Sequence, residues 1–426
     1  MTVGEVEPLL ARSSGGRVDP ARMRRLLAQL GVPAEPFPLI HVGGTNGKGS
    51  VVALLEAVFS AAGLRVGAYT SQDFSDPLAR VRVGMDFVTG ERLRDLFQRA
   101  ISSGGEASSE RRYPTREEAL AAAAFLHFTQ EEVALALVEA HRDPRYEPAC
   151  QLDSPLLTLV TSVEEDTRLP WGLGQAAWEQ AGLARTGVPF LTTERKPQVL
   201  ATFAQKCREE GAALVLVDPG DVAPVELTWR RAVWRSRSDP LGLREFETKF
   251  LGAYQGANLA LTLGALAELV GGLSLSRDAI REGFASAQCP GRFEVVSQRP
   301  YVVLDGVQNP AGARALVESL ERLPQPRGRQ ILVFGVRRDK LVRDTVEALF
   351  PRFERVVLAT PSCEGALPAE ALVPQAARLG IPWELGGGLG EAVQMEVRGL
   401  GDEDLLVVCG PLPALEEARG VVRQAA

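Results

Sequence analysis

Residues 43–50 read Gly-Gly-Thr-Asn-Gly-Lys-Gly-Ser, and this short run carries residue types that can do chemistry together. The glycines at 43, 44, 47 and 49 let the backbone curve, so that successive N–H groups turn inward on an anion. Lys48 adds a mobile positive charge for the outer phosphates of a nucleotide, and Ser50 adds a hydroxyl within reach of magnesium. Measured from Gly43, the second glycine comes at Gly47, so the loop is one residue tighter than the common GxxxxGK[ST] spacing. The apolar run PLIHV precedes it and VVALLEAVFSAAG follows it. A strand thus feeds a turn and then a helix whose positive end faces the same anion. This arrangement predicts a P-loop for a nucleoside triphosphate, with phosphate contacts from Gly44, Thr45, Asn46, Gly47, Lys48, Gly49 and Ser50.

Such a loop works only if a sheet holds it. VALALVEAH (133–141) and LLTLVTSV (156–163) are further apolar runs of strand length, and Glu139 ends the first of them. GLRVGAYTS (63–71) reads as a strand leading into a loop, while ARMRRLLAQL (21–30) and LAAAAFLHF (120–128) read as helices. Strands alternating with helices predict a parallel, doubly wound sheet, whose ligands gather at the carboxyl ends of its strands. The polar stretch ASSERRYPTREE (107–118) reads as a mobile loop. A second series begins near Cys289 with YVVLDG (301–306), AGARALVESLERL, ILVFG (331–335), RVVLAT (355–360) and DLLVVCG (404–410). The expected fold is therefore α/β: a P-loop domain over residues 1–288 and a smaller, Rossmann-like α/β domain over 289–426.

The 426 residues carry 47 basic and 54 acidic side chains, a net charge of −7, which argues against a dedicated nucleic-acid surface or attraction to anionic lipid. The opening MTVGEVEPLL lacks the basic start and apolar core of a signal peptide, and no apolar run reaches the length of a membrane span. The five cysteines have no metal-ligand spacing and read as reduced thiols, so a cytoplasmic protein is expected.

HVGGTNGKGS resembles the signature of the folylpolyglutamate synthase and dihydrofolate synthase family, relatives of the Mur peptide ligases. The resemblance continues through MRRLLAQLGVP (23–33), GVPFLTTE (187–194), LGAYQGANLALTLGAL (251–266), CPGRFEVV (289–296), LDGVQNPAGARAL (304–316) and VFGVRRDK (333–340). Only 42 residues precede the loop, too few for the extra N-terminal domain of the cell-wall Mur enzymes.

The resemblance implies ATP-dependent amide formation with ATP and Mg2+. The γ-phosphate passes to a folate or dihydropteroate carboxylate, and the amino group of L-glutamate then displaces phosphate. It implies a monomer, and catalytic roles for Lys48, Glu139 and Arg292. Magnesium would fall to Ser50, Ser71 and Glu139, the adenine to Asn258, and phosphate and ribose to Arg292 and Asp305. Arg145 and Glu147 would continue the loop after the metal-binding glutamate. ATP contacts on both sides of the boundary further imply that the domains close over the nucleotide.

Several positions depart from the family pattern. TSPHL reads TSQDF (70–74), and the glycine run after the metal-binding glutamate reads AHRDPR (140–145). VTSVEEDTRLPWG (160–172) lacks the histidine for a second magnesium, leaving Glu165 or Asp166 as alternative oxygen ligands. The lysine that the family carbamylates is Gln180, HNP reads Gln308-Asn309-Pro310, and HQ reads Tyr254-Gln255. Three readings stay open at this level: the glutamate ligase, a catalytically depleted ATP- and folate-binding homologue, and a ligase for another carboxylate and amine.

Overall fold

The structure is a computed structural model and describes residues 20–70, 80–106, 114–140, 144–151, 155–166 and 172–425. The larger sheet is built from β1 (Leu39–Gly43), β2 (Val66–Tyr69), β3 (Val81–Val83), β4 (Asp86–Phe87), β5 (Leu135–Glu139), β6 (Leu157–Val160), β7 (Pro189–Thr192) and β8 (Ala213–Leu216), in the order β4-β3-β2-β5-β1-β6-β7-β8. From β2 to β8 the pairing is parallel, while β3 and β4 add an antiparallel edge. The apolar runs are continuous because both faces are covered. Ile40, Val42, Leu135 and Leu137 join one core, and Leu39, Ala136 and Val138 join the other, as the two-residue period of a strand requires. Helices Lys48–Ala61, Gln255–Leu269 and Arg277–Ser286 fill the first side. Helices Pro20–Gln29, Gly90–Glu106, Arg116–Gln130, Gly172–Ala181 and Pro197–Glu210 fill the second.

β1 lies between β5 and β6, with Val42 opposite Glu139 and Gly43 opposite Val160. The P-loop therefore leaves the sheet at the carboxyl end of its central strands, beside the last residue of β5. That is the crevice where an open α/β sheet binds ligands.

A three-stranded antiparallel sheet, β9 (Val222–Leu227), β10 (Ala232–Ser236) and β11 (Glu245–Thr248), was not legible in the sequence. Arginines and a proline interrupt its alternation, and its anchor is the buried Trp234, whose Nε1 donates to Thr248 Oγ1 at 2.9 Å. The second unit has β12 (Glu294–Gln298), β13 (Tyr301–Asp305), β14 (Gln330–Phe334), β15 (Arg355–Thr360), β16 (Trp383–Gly388) and β17 (Leu405–Cys409), ordered β12-β13-β17-β14-β15-β16. Only β12 runs antiparallel to its neighbour. Trp229 ties the units together: its ring lies 4.8 Å from that of Tyr301, and its Nε1 donates to Pro324 O at 2.9 Å.

The expected loop at 107–118 needs correction at its end, since residues 107–113 lie outside the described residues. Thr115 instead caps the Arg116–Gln130 helix. Its Oγ1 accepts from Glu118 N at 3.2 Å, and its own N–H donates to Glu118 Oε2 at 2.8 Å. Thr-x-x-Glu ahead of an alanine-rich run is the capping-box signature. Among the described residues, no helix is long and apolar enough to cross a membrane.

Candidate active site

The loop at 43–50 is shaped by two glycines in conformations that other residues avoid, Gly44 at φ 115 and Gly47 at φ 100. Neighbouring chain fastens it. Gly43 O accepts from Thr161 N at 3.0 Å and from Thr161 Oγ1 at 3.1 Å, and Gly44 N donates to Gln180 Oε1 at 2.7 Å. Thr45 N donates to Ser162 O at 2.7 Å, and Thr45 Oγ1 accepts from Glu164 N at 2.9 Å. Segments after β6 thus hold the loop from behind.

Lys48 begins the following helix and curls over its own loop, donating from Nζ to Gly44 O at 2.9 Å and Thr45 O at 3.2 Å. Enclosure pulls its pKa below the usual lysine range; Glu139 and Asp166 oppose that shift, and Arg292 and Lys340 add to it. Two carboxylates and two further cations therefore act on one ammonium. Arg292 and Lys340 come from the second unit.

Ser50 follows two residues on, in the first turn of the same helix. Its Oγ accepts from Gln255 Nε2 at 3.2 Å. Asn258 donates from Nδ2 to Gln255 Oε1 at 2.7 Å, and its Oδ1 stands 2.3 Å from where a Cβ on Gly47 would be. Asn258, expected at an adenine, thus sits against the phosphate loop, and Gly47 has no room for a side chain.

Asp305 and Arg292 meet at the other wall. Asp305 is buried and accepts from Phe293 N at 2.7 Å and Tyr254 OH at 3.4 Å. Burial pushes its carboxyl up to about 6, although Arg292 and these hydrogen bonds pull the other way. Arg292 presses on the 306 backbone: its Nη1 is 2.0 Å from where a Cβ on Gly306 would be.

The two units also touch through a polar seam across the loop. Asn46 Nδ2 donates to Asn309 Oδ1 at 3.2 Å, and Asn309 Nδ2 donates to Asn46 Oδ1 at 3.0 Å and to Asp166 Oδ1 at 3.0 Å. Lys340 Nζ donates to Asp166 Oδ2 at 2.5 Å. Asn309 also caps the Pro310–Arg322 helix, accepting from Gly312 N at 2.8 Å.

Glu139 is buried at the end of β5 beside the loop, whereas Ser71 lies outside the described residues. The alternative oxygen ligands are used elsewhere. Asp166 holds Asn309 and Lys340, and Glu165 Oε1 accepts from Leu173 N at 3.1 Å. Among the described residues, no group of three or more His, Cys, Asp or Glu is placed to hold a metal by itself. Glu139 and Ser50 do supply the oxygen donors that magnesium takes when phosphates and water complete its shell. Arg145 stacks on Trp178 at 3.7 Å from the ring centroid. Glu147 is buried, and burial raises its pKa to about 7, with Arg80 opposing and Glu117 and Glu139 reinforcing.

Sequence reasoning did not single out Thr161, Asn309 or Lys340 for these contacts. Asn-Pro at 309–310 is a legible helix start, with a cap followed by proline at the first helical position, but nothing local says that the cap faces Asn46.

A P-loop at a switch point, faced by cations from a second α/β unit, defines a nucleotide-dependent ligase of the Mur type. Residues 291–412 match the family described as Mur ligase, glutamate ligase domain. The chain is 32% identical over 334 residues to the dihydrofolate synthase/folylpolyglutamate synthase of Escherichia coli K12, covering 76% of this chain and 73% of that one. To the Bacillus subtilis protein of the same name it is 29% identical over 337 residues, 77% of each chain. The solved structure of E. coli FolC in complex with DHPP and ADP superimposes with a TM-score of 0.84 at 25% identity, covering 100% of this chain and 98% of that one. The chain belongs to the dihydrofolate synthase/folylpolyglutamate synthase family.

Proposed function

We propose that this protein is an ATP-dependent carboxylate–amine ligase that adds L-glutamate to a folate or dihydropteroate carboxylate through an acyl phosphate. The observation that carries the reading is the enclosure of Lys48 Nζ in the glycine loop, on Gly44 O and Thr45 O, with Asn309 and Lys340 of the second unit reaching across to Asn46 and Asp166. Those charges suit a step in which negative charge moves between oxygens.

The N–H groups from Asn46 to Ser50 hold the phosphates; that of Thr45, expected to join them, is taken by Ser162 O at 2.7 Å. Lys48 gives up its two carbonyl contacts and turns its ammonium to the phosphate oxygens. Arg292 provides the second positive charge. Asn258 keeps Gly47 and Gln255 in register, and Gln255 in turn orients Ser50. Asp305 holds the turn that carries Arg292 through its bond to Phe293 N. Glu139, Ser50 and Ser71 would hold magnesium, which neutralises phosphate charge when bound. The substrate carboxylate oxygen attacks the γ-phosphorus and ADP departs. The glutamate nitrogen then attacks the acyl carbon, inorganic phosphate leaves, and an amide remains.

We place the boundary between the units at 288–290, after the Arg277–Ser286 helix and before β12. A monomer in the cytoplasm, closing its two units over ATP, completes the reading. The deciding assay mixes protein with ATP, magnesium, L-glutamate and either dihydropteroate or tetrahydrofolate. Phosphate release that requires the pterin is the expected result. Nucleotide binding without release, or release only with other acceptors, would overturn it.

A further inference from the structure

Gly43 C=O and Gly44 N–H belong to one peptide unit, the first of the phosphate loop, and both of its ends are occupied. Thr161 takes the carbonyl through its N–H at 3.0 Å and its hydroxyl at 3.1 Å, and Gln180 Oε1 takes the N–H at 2.7 Å. Gln180 is 4% exposed and sits near the end of the Gly172–Ala181 helix, 136 residues along the chain from the amide it receives. The approach is tight. A Cβ on Gly43 would lie 2.6 Å from Gln180 Oε1, and one on Gly44 would lie 2.0 Å from Thr161 Oγ1.

We infer that Gln180 is a positioning residue, whose amide oxygen sets the tilt of the Gly43–Gly44 peptide and so aims the anion cradle. This rests on the reading of the loop as a triphosphate site. A peptide held at both ends cannot rotate, and the next one is fastened too: Thr45 N donates to Ser162 O at 2.7 Å, and Gly44 O accepts from Lys48 Nζ at 2.9 Å. The N–H groups that follow start from a fixed direction, and the cradle is formed before any phosphate arrives. The acceptor is neutral at this position, and it holds the N–H without setting a negative charge behind the phosphates.

The test uses the full chain with Gln180→Met, which keeps length and apolar volume but removes the acceptor. Leu183→Ala, which disturbs the same wall without touching the hydrogen bond, serves as the packing control. Two readouts are taken: exchange of the Gly44 amide in glycine-labelled protein without nucleotide, and affinity for a non-hydrolysable ATP analogue with magnesium. Gln180→Met should speed Gly44 exchange and weaken the analogue, each by about tenfold, the worth of one buried hydrogen bond. In turnover, KM for ATP should rise while KM for glutamate stays within about twofold, and Leu183→Ala should lower Tm alone. Unchanged exchange, or equal losses for ATP and glutamate, would overturn the inference. Exchange that speeds up in a protein whose wild type binds no analogue would sink the triphosphate reading while leaving the peptide clamp standing.

Discussion

Asn309, at the head of a helix in the second unit, exchanges two amide hydrogen bonds with Asn46 in the phosphate loop, at 3.0 and 3.2 Å. Closure of the units and the shape of the loop are therefore one arrangement. Asp166 extends it, taking Asn309 on one oxygen and Lys340 on the other.

Asn309→Asp separates the seam from the helix cap. Aspartate caps a helix about as well as asparagine, but it donates nothing to Asn46 and sets a second carboxylate against Asp166. Tm should stay within a few degrees, while kcat/KM for ATP falls roughly ten- to a hundredfold, as expected for hydrogen bonds that include one to a charged group. Scattering should show larger solution dimensions than the wild type with the ATP analogue bound. Identical profiles would separate closure from this contact.

Lys48→Ala removes the ammonium that the loop encloses. The loss should fall on kcat/KM by two to three powers of ten. Glu139→Gln should leave nucleotide binding without metal intact. It should raise the magnesium concentration for half-maximal activity roughly tenfold or more, since a neutral amide replaces the buried carboxylate. Titration of phosphate release with magnesium checks this, and chelation should abolish release in both proteins.

Asp305 links stability to pH. Its carboxyl sits at about 6 in the fold against a reference of 3.8, so between these values the folded state binds more protons than the unfolded one. Its contribution is most favourable below 3.8, declines as pH rises through the window, and is level above about 6. Asp305→Asn keeps an acceptor for Phe293 N and should remove that component. Denaturant midpoints from pH 4 to pH 7 give the comparison; parallel curves for both proteins would contradict the assignment.

Thr115→Ala opens the capping box at the Arg116–Gln130 helix. A loss of about 1 kcal/mol is expected, seen as a drop in Tm of a few degrees, with KM for ATP unchanged because the helix packs behind the sheet.

Local pattern determined much of this protein. PLIHV, the glycine loop and the apolar helix after it specify strand, turn and helix by composition alone. Glu139 is legible as a strand-end carboxylate because VALALVE has the length and apolarity of a buried strand. Thr115 and Asn309 are legible as helix starts. The antiparallel sheet β9-β10-β11 and the glycine-rich β16 were not, because their strands carry weak alternation and owe their form to partners elsewhere.

The roles of the departures were decided only in three dimensions. Gln180 looked like the loss of a charged group, yet the fold brings its oxygen to Gly44 N. Asp166 looked like a spare metal ligand, yet the second unit brings Asn309 and Lys340 to both its oxygens. The physical reason is range. Backbone propensity and hydrophobic period act over a few residues and can be read along the chain, whereas a hydrogen bond between residues more than a hundred positions apart exists only once packing has fixed both ends.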